Sequence, residues 1–364
     1  PACKLIKVES EPLPYVLDPE EAYKEDCPAI VHDDVQSYKR LDLHGVAHSF
    51  DRKHPNQAIK RRVRHCDQFG LNPDDYATPE EYDAAFGAKF DEVYENAYLK
   101  LPEQRYEFPR VSHCFMEPLT DGGIEVWASE QGGRLVKYSM SAAFGLKPSD
   151  FHMHVPFMGG GFGGKLDVFA HELCPCLFSK MTGHPVKCIL KRDEVFMCTR
   201  TRHPISFEIE SAFTKEGKLL AKRCKHILDG GAYGGSGIAA NTLSLICATF
   251  PYKVENIDMT ARRPYTNHPA SGAMRGYSAC QVHFAHEIHM DEVANSLGLD
   301  PLELRRENEI TPYYTGPTGL EFTSCKFDEC LTAVADYIDW EHRDRYPLGS
   351  GEGVGLSGSG FMSG

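Results

Sequence analysis

The stretch MGGGFGGK, residues 158–165, places five glycines in the six positions from Gly159 to Gly164. With nearly every Cβ removed, the backbone can take left-handed torsions or let a ligand approach its amides closely. The run that follows, 166–182, reads as a buried helix. A helix beginning at 165 would turn those amides into the positive end of its dipole, a seat for an anionic group. Tight backbone packing is the other reading of the same glycines, and both stay open. A phosphate-binding P-loop is excluded: G-x-x-x-x-G-K-[ST] needs a hydroxyl after the lysine, and Leu166 follows Lys165. G-x-G-x-x-G can be laid on Gly159, Gly161 and Gly164, but no ribose-binding acid stands on a following strand, so a Rossmann unit fits poorly.

About 110 residues downstream lies a second small-residue cluster, SGAMRGYSACQ, residues 271–281, running into a helix. An arginine among small residues before a helix can present a fixed fork to an oxo or phosphate group. Arg275 capping neighbouring carbonyls is the alternative.

Outward from these clusters, strands and helices alternate without a regular βαβ cadence, which predicts an α+β fold of mixed sheets and helices. Residues 3–9 alternate like a strand, and 18–33 form an acidic connector. Thr78-Pro79-Glu80-Glu81 is a capping signal for a short helix through Phe90. VYENAYLKL, RYEFPRV and IEVWAS between 91 and 131 read as strands, 134–146 as a helix, and HMHVPFM and VKCILKR as strands. ISFEIESAFT and KLLAKRCKHILD form an antiparallel pair across Lys215–Lys218. Residues 281–297 form a helix, Asp300-Pro301 starts another, and GVGLSGSGFMSG closes the sequence as a glycine-rich strand.

Composition narrows the function. The chain of 364 residues carries a net charge of −13, which excludes a general nucleic-acid binder; the local basic group Lys60, Arg61, Arg62 and Arg64 reads as solvated surface. No run approaches the 18 apolar residues of a membrane span, and the first residues show no secretory leader. Thirteen cysteines, odd in number and scattered, read as buried thiols in a reducing cytoplasm rather than a disulfide framework. Cys325 and Cys330 supply the first interval of a plant-type iron–sulfur motif, but position 333 is Ala, so no cluster is expected here. Cys174-Pro175-Cys176 reads as two packed thiols. His283, His286 and His289 around Glu287 do not make H-E-x-x-H, since position 290 is Met, and read as solvated or capping. His152 and His154 share one strand face without a third ligand and read as structural.

MGGGFGGK followed by AMRGYSACQ resembles the molybdopterin-binding part of the xanthine dehydrogenase/aldehyde oxidase family. HCFMEP, WASEQ, GHPVKCILKRDE, TRTRHP, DGGAYG and LGLDPLELRREN stand in order around them, and the resemblance covers roughly residues 100 to 310. Leu166-Asp167 after the loop is most similar to the large molybdopterin subunit of nicotinate dehydrogenase. The resemblance implies three regions: 1–33, the tail of a hammerhead-like α/β domain with a connector; 34–312, a first molybdopterin-binding domain; and 313–364, a connector and the start of a second such domain. It also implies molybdopterin with molybdenum, as a cytosine dinucleotide, the metal held by the pterin dithiolene with no protein ligand.

Carried over residue by residue, Gln131, Gly160, Gly161, Phe162, Gly163 and Arg275 would bind the cofactor, with the Gly163 N–H a donor to the metal's oxo group. Leu166, Leu243 and Tyr277 would wall the substrate pocket. The implied reaction is oxidative hydroxylation of an electrophilic carbon with water-derived oxygen, assisted by a glutamate base. That glutamate belongs to the family's second half, so no catalytic residue is expected in this chain; Glu117 and Glu172 do not fit the role. A second molybdopterin-binding subunit, a [2Fe-2S] subunit and an FAD subunit are the implied partners, and the chain reads as a split subunit or a fragment.

Two departures bear on the substrate. Purine hydroxylases carry Glu after the loop's lysine, where Leu166 stands, and an Arg about thirty residues before the second motif, whereas no Arg occurs between 235 and 261. Leu166 and Leu243 instead imply an aromatic N-heterocycle, an aryl derivative or an aldehyde. A non-catalytic scaffold or assembly protein that kept the fold without the metal is the competing expectation.

Overall fold

The computed structural model describes residues 14–24, 26–27, 46–50, 59–66, 71, 75–108, 118–121, 125–347 and 349–362. The strand expected at 3–9, residues 25 and 28–33 of the 18–33 connector, and Glu117 lie outside them. In chain order the first elements are α1 (Pro19–Ala22), β1 (Val46–Phe50), β2 (Ile59–Cys66), α2 (Pro79–Asn96), β3 (Leu99–Phe108), β4 (Pro118–Asp121) and β5 (Glu125–Ala128). Next come α3 (Gly133–Ala143), β6 (His152–His154), α4 (Ala170–Thr182), β7 (Val186–Lys187), α5 (Arg192–Cys198), β8 (Ile205–Phe213) and β9 (Leu219–Leu228). The chain continues through α6 (Gly237–Cys247), β10 (Asn256–Arg263), α7 (Ala279–Leu297), α8 (Pro301–Glu307), β11 (Tyr314–Thr315), β12 (Glu321–Phe322) and α9 (Phe327–Ile338).

Two sheets organise the α+β fold. The larger runs β1-β2-β10-β9-β8-β3, antiparallel except for the parallel β10–β9 pair. The smaller runs β6-β5-β4-β7. The expected hairpin is present: Ile205 pairs with Leu228, and the strands meet across residues 214–218. Its alternation decides the core. Ile205, Phe207 and Ile209 point inward with Cys224 and Leu228, and pack with Leu245 of α6 and Val282, Ala285 and Val293 of α7. The other face takes α2, whose Phe86 and Phe90 pack on Ala212 and Ala221. Burying side chains of this size contributes about 1.5–3 kcal/mol each, so this packing holds the sheet between two helical layers.

Several expectations need correction. The Thr78 hydroxyl caps α2 at Glu81 N, 3.2 Å, as read, but the helix runs to Asn96, so 91–96 is helical and the strand begins at Leu99. Aromatic and β-branched residues in VYEN mimic a strand, yet Val93 and Tyr94 continue the face set by Phe86 and Phe90. Helix α4 starts at Ala170, five residues beyond Lys165, so the glycine loop does not open directly onto its N-terminus. Its outer face is exposed at Leu177, Phe178 and Met181, and Cys174 is exposed rather than packed. VKCILKR is strand only at Val186–Lys187 and then enters α5. Residues 353–362 of the closing glycine-rich segment form no strand; Leu356 is buried beside α9, and Met362 packs on the main core. His283, His286 and His289 are not solvated: all are buried, because α7 has the sheet on one side and residues 355–361 and α8 on others. Among the described residues no helix is long and apolar enough to cross a membrane.

Candidate cofactor site

The glycine loop between β6 and α4 docks directly onto the second motif. Gly163 has φ +88°, and a Cβ built there would lie 2.7 Å from Ala273 C and O and 2.9 Å from Met274 N. Real Cβ atoms do not come that close to backbone, so only glycine permits this approach. Gly160, at φ +120°, sits under the Phe162 ring, and the Gln131 side chain lies across Gly161, where a Cβ would be 2.3 Å from Cδ. Tight packing, one of the two readings of the glycines, is met, and the packed loop, the Gln131 side chain and the second motif together form a cradle. Phe162, at φ +51°, is exposed, and the Arg275 guanidinium lies 5.6 Å from its ring centroid.

Gln131, three residues after β5, completes the cradle. Its Oε1 accepts from Gly163 N at 2.8 Å and Lys165 N at 3.2 Å, while its own N–H donates to Lys165 O at 2.8 Å. The Gly163 N–H is thus satisfied by Gln131 here. Lys165 turns inward: its Nζ donates to Ser129 Oγ and Met158 O, each at 2.7 Å. Leu166 is half-buried, with Cδ2 3.5 Å from where a Gly132 Cβ would sit. Tyr277, at φ +45°, donates its hydroxyl to Ser236 O, and burial pushes that phenol up to about 12. Leu243, on α6, packs against the main core instead. Thus Gln131, Gly160, Gly161, Phe162, Gly163 and Arg275 come together, with Leu166 and Tyr277 close along the chain, while Leu243 stands with the core.

Behind the cradle lies a polar frame that sequence reading missed. Arg200, buried and stacked 5.3 Å from the Phe169 ring centroid, pairs with Asp167 and donates to Ser236 Oγ. Ser236 Oγ donates to Asp167 at 2.8 Å and accepts from Ala273 N at 3.0 Å. One serine thus ties the residue after the glycine loop to the start of the second motif. Arg202 donates to Arg275 O at 2.6 Å, which fixes the backbone that carries the exposed fork. Arg263 is fully buried and donates to Gly230 O, Ser271 O and Tyr233 O at 2.8, 2.9 and 3.2 Å, and through Nε to His203 Nε2 at 3.0 Å. Burial lowers its pKa to about 10, against the opposing pull of Tyr265 and Asp229. Gly230 and Gly237 leave room for this guanidinium. The signal was present in TRTRHP and DGGAYG, but arginines in short polar strings look exposed until the fold closes over them.

Glu130 and Glu172 form a buried carboxyl pair below the loop. Burial, then mutual repulsion for Glu130, holds Glu130 far above the usual carboxylate range, and burial raises Glu172 as well. A cavity of about 630 Å³ opens beside Gly276 and Cys280, between α7 and residues 355–361.

Backbone amides, a carboxamide, an aromatic face and an exposed guanidinium fork are groups that suit an anionic, flat, oxygen-rich cofactor. The family model described as "Molybdopterin cofactor-binding domain" matches residues 73–309, more than half of the chain. The chain belongs to that family. It is 33% identical over 246 residues to the xanthine dehydrogenase molybdenum-binding subunit of Escherichia coli O157:H7, covering 65% of this chain and 33% of that protein. It is 33% identical over 211 residues to the nicotinate dehydrogenase large molybdopterin subunit of Eubacterium barkeri, covering 56% and 49%. In fold it matches CO dehydrogenase from Oligotropha carboxidovorans, with TM-score 0.76 and 23% identity, over 94% of this chain and 41% of that one. The chain spans a third to a half of the length of these relatives.

Proposed function

We propose that this chain seats the cofactor of a molybdenum hydroxylase and forms one wall of its substrate pocket. The observation that carries the reading is the docking of Gly163 on Ala273 and Met274, which gathers Gln131, Phe162 and Arg275 around one cradle. When bound, the molybdopterin centre supplies a water-derived oxygen nucleophile and takes up two electrons from the substrate. The chain's own work is placement. Arg275 offers its fork to anionic oxygens, and the Gly163 N–H and the Gln131 carboxamide exchange their mutual hydrogen bond for ones to the cofactor. Phe162 and the loop exclude water on that side.

The general base is a glutamate outside residues 1–364, in a second molybdopterin-binding part, and proton removal of this kind is worth about 10²–10⁴-fold. Electrons leave through [2Fe-2S] and FAD subunits, the cofactor is the cytosine dinucleotide form, and the complex works in the cytoplasm. The regions 1–33, 34–312 and 313–364 divide as tail of a hammerhead-like domain, first cofactor domain and start of the second. Leu166 and Tyr277 favour an aromatic N-heterocycle, aryl derivative or aldehyde; Leu243, which packs with the core, takes no part. A purine would meet two unmatched polar edges at about 1–3 kcal/mol each, a discrimination of at least about thirtyfold.

The test is coexpression with the glutamate-bearing subunit, followed by competition between an apolar aromatic heterocycle or aldehyde and xanthine. The reading predicts turnover only by the assembled complex and preference for the apolar substrate. Turnover by the single chain, or efficient xanthine turnover by the complex, contradicts it.

A further inference from the structure

Strand β9 carries an anomaly remote from the cradle's chemistry. Its inward positions should be apolar, yet three successive ones are Lys222, Cys224 and His226, all buried in the main core. Opposite them, α7 contributes His286. Each of Cys224, His226 and His286 offers a ligand atom, and the three atoms lie within 4.8 Å of one another. We propose that Cys224, His226 and His286 form a three-coordinate site for a soft monovalent d¹⁰ cation of the Cu(I) class, inside the core between the large sheet and α7.

The hydrogen bonds show the His226 ring already set for it. Ser244 Oγ spends its proton on Asn241 O at 2.8 Å, so it accepts from His226 Nδ1–H at 3.2 Å. That tautomer leaves the His226 Nε2 lone pair facing Cys224 Sγ, 3.0 Å away. A hydrogen bond to the far ring nitrogen is the usual way an imidazole ligand is oriented. His286 Nε2 lies 3.8 Å from the same sulfur. With bonds of about 2.3 Å to sulfur and about 2.0 Å to nitrogen, trigonal angles put S and N about 3.7 Å apart. The His286 spacing meets this value, and the His226 spacing must open by less than about 1 Å.

Donor number and charge choose the ion class. Structural zinc sites take four protein ligands, and the group here offers three among the described residues. Thiolate with imidazole is a soft donor set. Lys222 Nζ contacts His286 Nδ1 at 2.7 Å. Ligation displaces two protons, one from Cys224 Sγ and one from His286 Nε2, while the shared Lys222 proton passes to His286 Nδ1. A monovalent ion then leaves the pocket with no net charge, whereas a divalent ion would bury one. Cys224 and His226 are each only 1% exposed, so the ion enters as the chain folds.

The test uses the full polypeptide, expressed in cells supplied with copper and purified anaerobically with an excess of Cu(I) chelator to strip exposed thiols. Elemental analysis should show one retained equivalent of copper in the wild type and none in a folded Cys224→Ser variant. X-ray absorption of the wild type alone, which needs no variant to fold, should give one sulfur and two nitrogens around copper. Equal copper in both proteins, a sulfur-only shell, or no retained copper would overturn the site.

Discussion

Replacing Gly163 by alanine adds one methyl group at the contact on which the cradle depends. At φ +88° an L-residue costs about 1–2 kcal/mol in backbone strain. The new Cβ would also stand 2.7 Å from Ala273 C and O and 2.9 Å from Met274 N, where backbone, not a flexible side-chain end, must yield. Overpacking of that kind costs about 1–3 kcal/mol more. The loop should therefore lift from the second motif at a cost of about 2–5 kcal/mol, which lowers the cradle's apparent affinity for the cofactor by more than about tenfold. Gly183→Ala is the control. Gly183 caps α4 at φ +68° with nothing within 4 Å of its Cβ, so it bears only the backbone cost. Molybdenum per chain by elemental analysis, with thermal unfolding alongside, compares the two variants in the native complex. If Gly163→Ala keeps the molybdenum content and the Tm of Gly183→Ala, the loop does not depend on this contact and the reasoning fails.

Arg275→Lys keeps the charge but loses the planar fork beside Phe162; activity should fall about tenfold or more, against little change for the exposed control Arg134→Lys, and equal rates would return Arg275 to a carbonyl-capping role. Arg263→Lys cannot span Gly230 O, Tyr233 O, Ser271 O and His203 together, so Tm should drop by several degrees; an unchanged Tm would show that these carbonyls do not need the guanidinium. For Glu130, the folded pKa is raised, so above the unfolded value of 4.5 the unfolded chain binds fewer protons and stability falls as pH rises, by up to about 1.4 kcal/mol per pH unit. Glu130→Gln should flatten that slope in urea unfolding between pH 5 and pH 8, and an identical slope would mean no buried proton is held there. On the acid side, burial lowers His226 and His289 to about 3 and His286 also falls. His171, lowered to about 4, and His283 behave alike. The unfolded imidazoles then gain protons below pH 6.5 while the folded ones stay neutral, so these five rings should take up about five protons on acid unfolding; uptake of none would mean these rings are already charged in the fold.

Local signals were readable where chemistry is local. Thr78 and Glu81 announce the start of α2, alternation from Ile205 to Leu228 announces the central hairpin, and the two small-residue clusters mark the halves of the cradle. What escaped depends on contacts distant in sequence. Nothing within TRTRHP says that Arg200 pairs with Asp167, 33 positions away, or that Arg202 holds the carbonyl of Arg275, 73 positions away. His286 looks solvated beside Glu287 until α7 is covered by the sheet, and Glu287 then proves to be a buried partner of Arg305 and Tyr252. The end of α2 was misplaced because VYEN satisfies strand propensity, and tertiary packing of Phe86 and Phe90 overrides it.

The central claim is that this chain holds a molybdenum–pterin cofactor between its glycine loop and its second motif. It is tested most directly by measuring molybdenum and the fluorescent oxidised pterin released from the purified native complex. The account predicts both in near-equimolar ratio to this chain. An intact, folded complex that contains neither would contradict it and leave a scaffold protein in its place.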